Sequence, residues 1–99
     1  MQKTEYAHYA EILKANLAFI KQKFNVSELG IFGSYVRGEQ DEQSDLDILV
    51  RYSKVPCVWN WIELEDYLSR LTGVEVDLVS DAAMKPKIRE RVYQEVIFL

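Results

Sequence analysis

The chain has 99 residues, of which 48% are hydrophobic and 12% aromatic, so it can form one domain, residues 1–99, with one modest core. A formal net charge of −4 and a pI near 5.0 argue against the basic surface that binding of long nucleic acids requires. The single cysteine, Cys57, has no internal disulfide partner and is expected to be buried. No apolar run is long enough to span a bilayer. Composition therefore predicts a cytoplasmic, single-domain protein whose partners include neither a membrane nor a long nucleic acid.

The first elements follow from hydrophobic spacing. From Thr4 to Phe24, apolar residues recur three or four apart, which predicts one amphipathic helix. Val26 to Phe32 predicts a short strand, and Gly33-Ser34 predicts a turn that ends it. We expect that turn to open a brief helical segment through Arg37, followed by a polar loop.

The second predicted strand, Asp45 to Tyr52, carries carboxylates within an apolar run. Alternate residues of a strand point to the same side, so one face holds Asp45, Asp47, Leu49 and Arg51 and the other holds Leu46, Ile48, Val50 and Tyr52. Both aspartates are thus expected to point the same way. Ionised groups beside a core are costly unless they are compensated, and a divalent cation would compensate both.

The second half of the chain predicts a helix, a strand and a last helix. The helix spans Val58 to Leu71, with Val58 on its buried side and Gly73 at its C-terminal cap. The strand spans Val74 to Val79. Ser80 or Asp81 can cap a last helix that Pro86 either breaks or restarts, with Ile88 on its apolar stripe. The element order predicts an α/β (α+β) fold in which a small mixed β-sheet is flanked by helices.

Asp77 adds a third carboxylate in the middle of a strand. Adjacent strands lie about 4.8 Å apart, so Asp45, Asp47 and Asp77 can converge on one spot. Carboxylate oxygens suit Mg²⁺, and phosphoryl-transfer sites use paired ions about 4 Å apart. Gly33 lets the backbone approach a ligand closely, and the N–H groups and hydroxyl at Ser34 can hold phosphate oxygens. These residue types together predict a metal-assisted nucleotide site.

The spacing of these motifs resembles a known signature. Gly33-Ser34, ten intervening residues and then Asp45-Leu46-Asp47 resemble the polymerase β nucleotidyltransferase superfamily. The segments Arg37-Gly38-Glu39, Val74–Val79 and Lys85–Arg89 resemble its minimal nucleotidyltransferase (MNT) antitoxin family. The resemblance covers nearly the whole chain.

The resemblance implies a function that the spacing alone does not. MNT proteins are antitoxins paired with HEPN-domain ribonuclease toxins, and they transfer AMP from ATP to a toxin tyrosine. By this resemblance, Asp45 and Asp47 would hold two Mg²⁺ ions, and Asp77 would complete the first ion site and accept the tyrosine proton. Gly33 and Ser34 would contact the nucleotide phosphates. A hetero-oligomer with the toxin is also implied.

Other interpretations stay open on the residues alone. The chain could be a binding module that neutralises a toxin by docking without catalysis, since little in it would close over ATP. Transfer to a small molecule is disfavoured because no second domain would form its pocket. The carboxylates could also be structural: Asp45 and Asp47 could lie on a solvated strand face, and Asp77 could share an exposed face with Glu75.

Several side chains have ordinary structural explanations. Arg37 is expected to pair with Asp41 or Glu39 rather than with phosphate. The basic residues Lys85, Lys87, Arg89 and Arg91 are expected to form a solvated helix face. Trp59 is predicted either to be half-buried or to belong to an exposed aromatic patch. The apolar terminus, 96–99, is expected to pack on the core or on another subunit.

Overall fold

The computed structural model describes residues 2–99, with side chains from Tyr6 onward. Within this range the helices are α1 (Gln2–Ala15), α2 (Leu17–Phe24), α3 (Ser34–Arg37), α4 (Val58–Thr72) and α5 (Pro86–Glu95). The strands are β1 (Val26–Phe32), β2 (Leu46–Tyr52), β3 (Val76–Ser80) and β4 (Ile97–Phe98), and a 3₁₀ turn covers Asp81–Ala83. In this described part of the chain, none of the helices combines the length and apolar character needed to cross a membrane. The predicted α/β class with a small mixed sheet is confirmed.

The four strands form one sheet in the order β3-β2-β1-β4. Strand β1 is antiparallel to both β2 and β4, whereas β2 and β3 are parallel. Parallel neighbours need a crossover connection, and α4 supplies it between β2 and β3. This crossover brings the strand that carries Asp77 directly beside the strand that carries Asp47.

The core lies on one face of β2, as the alternation predicts. Leu46, Ile48 and Val50 are fully buried in the main hydrophobic cluster. Leu49 is also buried but lies outside that cluster, on the face that carries Asp47. Strand β2 is therefore covered on both sides along part of its length. Asp47 accordingly lies beside buried apolar side chains.

The first predicted helix is interrupted, so the prediction of one helix over Thr4–Phe24 is wrong in this respect. Asn16 separates α1 from α2 with φ −110° and ψ 6°. Its side-chain amide donates a hydrogen bond to the Ile12 carbonyl oxygen at 2.8 Å. Asparagine side chains compete with the backbone for such bonds, which favours a helix break.

The C-terminal segment forms an edge strand that the sequence pattern did not predict. Gly30 and Ile31 of β1 pair with Phe98 and Ile97 of β4, and the Leu99 N–H donates to the Leu29 carbonyl oxygen at 2.9 Å. A Cβ on Gly30 would lie 2.6 Å from Val96 Cγ2, so the absent side chain allows this close packing. The terminus was expected to pack on the chain's own core or on another subunit, and Leu99, which packs against the core cluster, agrees with the first alternative.

Some predicted burial is wrong near the ends of helices. Val58 is 63% exposed, and Ile88 is 51% exposed. Cys57 is also exposed, so its predicted burial is wrong. Trp59 is exposed beside it, which agrees with one of the two alternatives predicted for that side chain. These residues lie in or next to the first turn of α4 or α5, where the helices extend past the core. Helical spacing does not show where along a helix its apolar stripe stops being covered.

Candidate active site

Asp47 and Asp77 occupy paired positions on neighbouring parallel strands. The register of β2 and β3 aligns Leu46 with Val76 and Asp47 with Asp77. Asp47 is half-buried, whereas Asp77 is exposed. The predicted convergence of these two carboxylates therefore follows from strand order and register.

Asp45 lies beside the pair but borders a different groove. It is exposed and immediately precedes β2, whose first residue, Leu46, donates its N–H to the Glu75 carbonyl oxygen at 2.8 Å. Asp45 lines a groove of about 820 Å³ between the loop at 40–44 and the segment at 73–75. Asp47 instead lines a cleft of about 640 Å³ between the β1–α3 turn and α5, which we call the Asp47 cleft. Asp45 and Asp47 thus border two different depressions, and the exposed Asp77 belongs to the lining of neither.

Burial and neighbouring charges both perturb the Asp47 carboxyl group. Burial is the main cause that raises the pKa of its carboxyl group to about 6, and the charges of Asp77 and then Asp45 add to the effect. Arg37 opposes the rise, and Glu95 contributes to it. The folded protein therefore resists the ionised form of Asp47 near neutral pH, which is the condition that a bound cation relieves.

Gly33 is required by the position of the Asp47 carboxylate. Its φ of +84° and ψ of −155° suit glycine, and a Cβ built there would overlap the Asp47 carboxylate. The glycine thus lets the backbone of the β1–α3 turn pass directly beside the half-buried aspartate. Its N–H and that carboxylate both border the Asp47 cleft.

Ser34 begins α3 directly after this glycine. The short helix is closed by hydrogen bonds from the Val36 and Arg37 N–H groups to the Gly33 carbonyl oxygen, at 3.1 and 3.2 Å. Tyr35 is buried and packs edge-to-face on Tyr9 of α1, with ring centroids 5.5 Å apart. These contacts fix Ser34 next to Gly33, so the predicted turn and brief helix are confirmed.

Glu95, the last residue of α5, was missed by the sequence predictions. Its Oε2 accepts a hydrogen bond from the Gly33 N–H at 2.7 Å. Both carboxylate oxygens also accept from Arg37 Nη1, at 2.9 and 3.1 Å. Arg37 Nε donates to Glu39 Oε1 at 2.9 Å, so the predicted pairing with Glu39 is present alongside the unpredicted one. A glutamate at a helix C-terminus opposes the helix dipole, and this mismatch is the signal that sequence inspection could have used.

The basic residues of α5 divide between two roles. Arg89 donates from Nε to Asp81 Oδ1 at 3.1 Å, which matches the expectation of a solvated, ion-paired helix face. Arg91 instead borders the Asp47 cleft. Arg91 therefore shares a cleft with Asp47.

The carboxylates fit Mg²⁺ that is shared with a substrate. Within the part of the chain whose side chains are described, no group of three acidic, histidine or cysteine residues already has the arrangement of a metal site. Mg²⁺ commonly takes only one or two carboxylates, and water and substrate phosphates supply its other ligands. The paired Asp47 and Asp77, and the raised pKa of Asp47, match this kind of donor set.

A family model for the nucleotidyltransferase domain matches residues 13–99. The chain belongs to the nucleotidyltransferase family. Protein adenylyltransferase MntA of Thermococcus cleftensis is 46% identical to it over 88 residues, which are 89% of each chain. A Methanocaldococcus jannaschii protein named as a candidate protein adenylyltransferase is 43% identical over 90 residues, covering 90% of this nucleotidyltransferase and 92% of the relative.

Solved structures share the fold over nearly the whole nucleotidyltransferase. A candidate minimal nucleotidyltransferase superimposes with a TM-score of 0.75 at 33% identity, covering 99% of this chain and 95% of the other. A toxin–antitoxin crystal structure with AMP-PNP superimposes with a TM-score of 0.68 at 22% identity, covering 94% of this chain and 70% of that one. At the latter identity the likeness concerns the fold alone. The predicted minimal nucleotidyltransferase fold is confirmed.

Proposed function

We propose that this nucleotidyltransferase is the antitoxin of a toxin–antitoxin pair, and that it transfers AMP from ATP to a tyrosine of a HEPN-domain ribonuclease toxin with the help of Mg²⁺. The observation that carries the proposal is the pairing of Asp47 with Asp77 beside Gly33, whose missing Cβ makes room for the Asp47 carboxylate. Relatives named as protein adenylyltransferases support the reaction. The shared fold of a HEPN toxin–MNT antitoxin complex supports the partner. We place the pair, as a hetero-oligomer, in the cytoplasm, where ATP is supplied.

The acidic residues would provide the metal ligands. Asp45 and Asp47 would hold two Mg²⁺ ions, and Asp77 would complete the first site. Bound Mg²⁺ neutralises charge on the phosphates and on the pyrophosphate that leaves. The half-buried position of Asp47 restricts its side chain, so this carboxylate would set where the α-phosphate lies relative to Asp77.

The β1–α3 turn would bind the triphosphate. The Gly33 N–H and the Ser34 hydroxyl can donate hydrogen bonds to phosphate oxygens, and hydrogen bonds to charged acceptors are stronger than neutral ones. This contact would hold the nucleotide so that its α-phosphorus faces the exposed side of the site. Positioning of this kind contributes much of the rate enhancement in phosphoryl transfer.

Asp77 would act as the proton acceptor. It is exposed, so a tyrosine from a second protein can reach it. The phenol oxygen would form a bond to the α-phosphorus, the bond between that phosphorus and the bridging oxygen would break, and the phenol proton would pass to Asp77. A phenol has a pKa near 10, so a nearby base assists its attack at neutral pH.

Label transfer tests the proposed reaction. The chain, a cognate toxin, Mg²⁺ and ATP labelled in its adenosine are incubated, and label on the toxin is measured. Wild-type protein and the surface variant Asp66→Asn should label the toxin, whereas Asp45→Asn and Asp47→Asn should not. Absence of label with wild type, together with full neutralisation by Asp45→Asn, would contradict the proposal.

Docking without catalysis remains the competing function, because both depressions beside the carboxylates are open clefts. A docking antitoxin neutralises at most one toxin for each bound copy. A catalyst neutralises many. Titration of toxin activity with antitoxin in the presence of ATP distinguishes the two, and loss of neutralisation below one antitoxin per toxin would favour docking.

A further inference from the structure

The Asp47 cleft is lined by an anionic side chain of the protein itself, Glu95. The Glu95 carboxylate accepts the Gly33 N–H at 2.7 Å and lies against Arg37 Nη1 at 2.9 Å. Its side chain keeps 26% of its accessible surface, so solvent reaches it. A backbone N–H and a guanidinium are the donors that proteins use for phosphate as well as for carboxylate. Glu95 thus occupies donors that also suit a phosphate oxygen.

Two features of its surroundings disfavour the charge of Glu95, although Arg91 borders the same cleft. Glu95 is the last residue of α5, where the helix dipole disfavours an anion. It also borders the same cleft as Asp47, and its charge contributes to the raised pKa of that group. The carboxylate is therefore held mainly by Gly33 and Arg37, and a competing anion at these donors would release it.

The end of α5 has contacts with the sheet that do not involve Glu95. Arg51 of β2 donates from Nε to the Tyr93 hydroxyl oxygen at 2.9 Å. Its guanidinium carbon also lies 5.3 Å from the Tyr93 ring centroid and 5.5 Å from that of Phe98. These residues flank Glu95 on α5 and β4. The glutamate side chain can swing away from Gly33 while the helix end stays in place.

We propose that Glu95 is an autoinhibitory residue that competes with the nucleotide phosphate for the Gly33 N–H and Arg37. This inference rests on the proposed binding of ATP at the β1–α3 turn. Nucleotide binding displaces the carboxylate, and Arg37 exchanges Glu95 for a phosphate oxygen while its Nε contact with Glu39 can persist. The displaced state is the binding-competent one, so the apparent affinity for ATP equals the intrinsic affinity multiplied by the fraction of molecules in which Glu95 is released.

The test compares ATP binding to the full chain and to variants by calorimetry in the presence of Mg²⁺. Glu95→Gln keeps the size of the side chain and an oxygen that can accept the Gly33 N–H, so the fold should be retained. Glu95→Ala removes the competing group altogether. Glu90→Gln, an exposed glutamate on the same helix, is the matched control. Thermal unfolding of each variant confirms that it is folded.

Glu95→Ala should bind ATP about tenfold more tightly than wild type and Glu90→Gln, as expected when about one tenth of the wild-type molecules have Glu95 released. Glu95→Gln still accepts the Gly33 N–H but loses its charge beside Arg37, so its affinity should lie between those of wild type and Glu95→Ala. Unchanged or weaker binding by folded Glu95→Gln and Glu95→Ala would overturn the inference. This result would overturn the inference even if the wild-type protein transfers AMP normally.

A metal-free readout separates this inference from the proposed function. The ¹⁵N–¹H resonance of Gly33 is followed while inorganic pyrophosphate is added in EDTA. In Glu95→Gln it should shift at lower pyrophosphate concentration than in wild type. If no protein binds ATP but this difference is present, the proposed function fails and the competition by Glu95 stands. If neither ATP nor pyrophosphate reaches Gly33 in any variant, both fail.

Discussion

The substitution Asp47→Asn should make the metal-free protein more stable at neutral pH. The side chains have nearly the same shape, so the substitution mainly removes a charge. That charge is half-buried and also lies near Asp77 and Asp45, and these effects raise the pKa of Asp47 from 3.8 to about 6. A raised carboxyl pKa means that the folded state binds the proton more tightly than the unfolded chain.

The magnitude follows from proton linkage. Two pKa units correspond to about 3 kcal/mol before screening, and because the group is half exposed we expect about 1–2 kcal/mol. The proton on Asp47 stabilises the folded state of the wild-type protein. This contribution is fully present below pH 4, is lost as the pH rises through about 6, and is absent above that. The free energy of unfolding of Asp47→Asn should therefore exceed that of wild type by about 1–2 kcal/mol at pH 7.5 and by much less at pH 4.

Urea unfolding in EDTA, followed by tryptophan fluorescence at both pH values, measures this difference. Asp66→Asn is the matched control, since Asp66 is exposed and pairs with Arg70 on the surface of α4. It should change the free energy of unfolding by less than about 0.5 kcal/mol. This account of Asp47 would be refuted if Asp47→Asn were less stable than wild type at pH 7.5. It would also be refuted if the free energies of unfolding of the two proteins differed by the same amount at both pH values.

Three further outcomes follow from the same geometry. Gly33→Ala should lower the free energy of unfolding by more than about 2 kcal/mol and abolish AMP transfer. Gly73→Ala, at φ +78° with no neighbour within 4 Å, should lose only about 1 kcal/mol through backbone strain, and equal losses in the two variants would refute the role of the Asp47 contact. Asp77→Asn should lower the pKa of Asp47 toward its ordinary value, which ¹³C NMR titration measures, and an unchanged pKa would show that the two charges do not interact. Deletion of residues 97–99 should lower the melting temperature by more than about 5 °C through loss of β4, and an unchanged melting temperature would mean that this strand adds nothing.

The secondary structure around the site could be predicted because it depends on short-range sequence patterns. Alternation along β2 placed Asp47 opposite the core face of Leu46 and Ile48, and burial of these leucine and isoleucine side chains agrees. The ten residues between Ser34 and Asp45 correspond to α3 and the loop that follows it. The roles assigned to Gly33, Ser34 and the three aspartates in catalysis and metal binding remain predictions.

The unpredicted features depend on contacts between distant parts of the chain. Glu95 lies 62 residues from Gly33, and no local pattern links them. Strand β4 has only two residues, and its pairing with β1 depends on the small size of Gly30. The break between α1 and α2 occurs at a single residue, Asn16, whose side chain donates a hydrogen bond to the Ile12 carbonyl oxygen. The apolar spacing on either side of it does not reveal such a break.

Transfer of AMP to a toxin tyrosine is tested most directly by mass spectrometry of the toxin itself. The toxin is exposed to a tenth of its molar amount of antitoxin with ATP and Mg²⁺, then digested and sequenced. We predict adenylylated tyrosine in most toxin molecules, and unmodified toxin when Asp47→Asn replaces wild type. Inactive but unmodified toxin in the wild-type reaction would contradict the catalytic account.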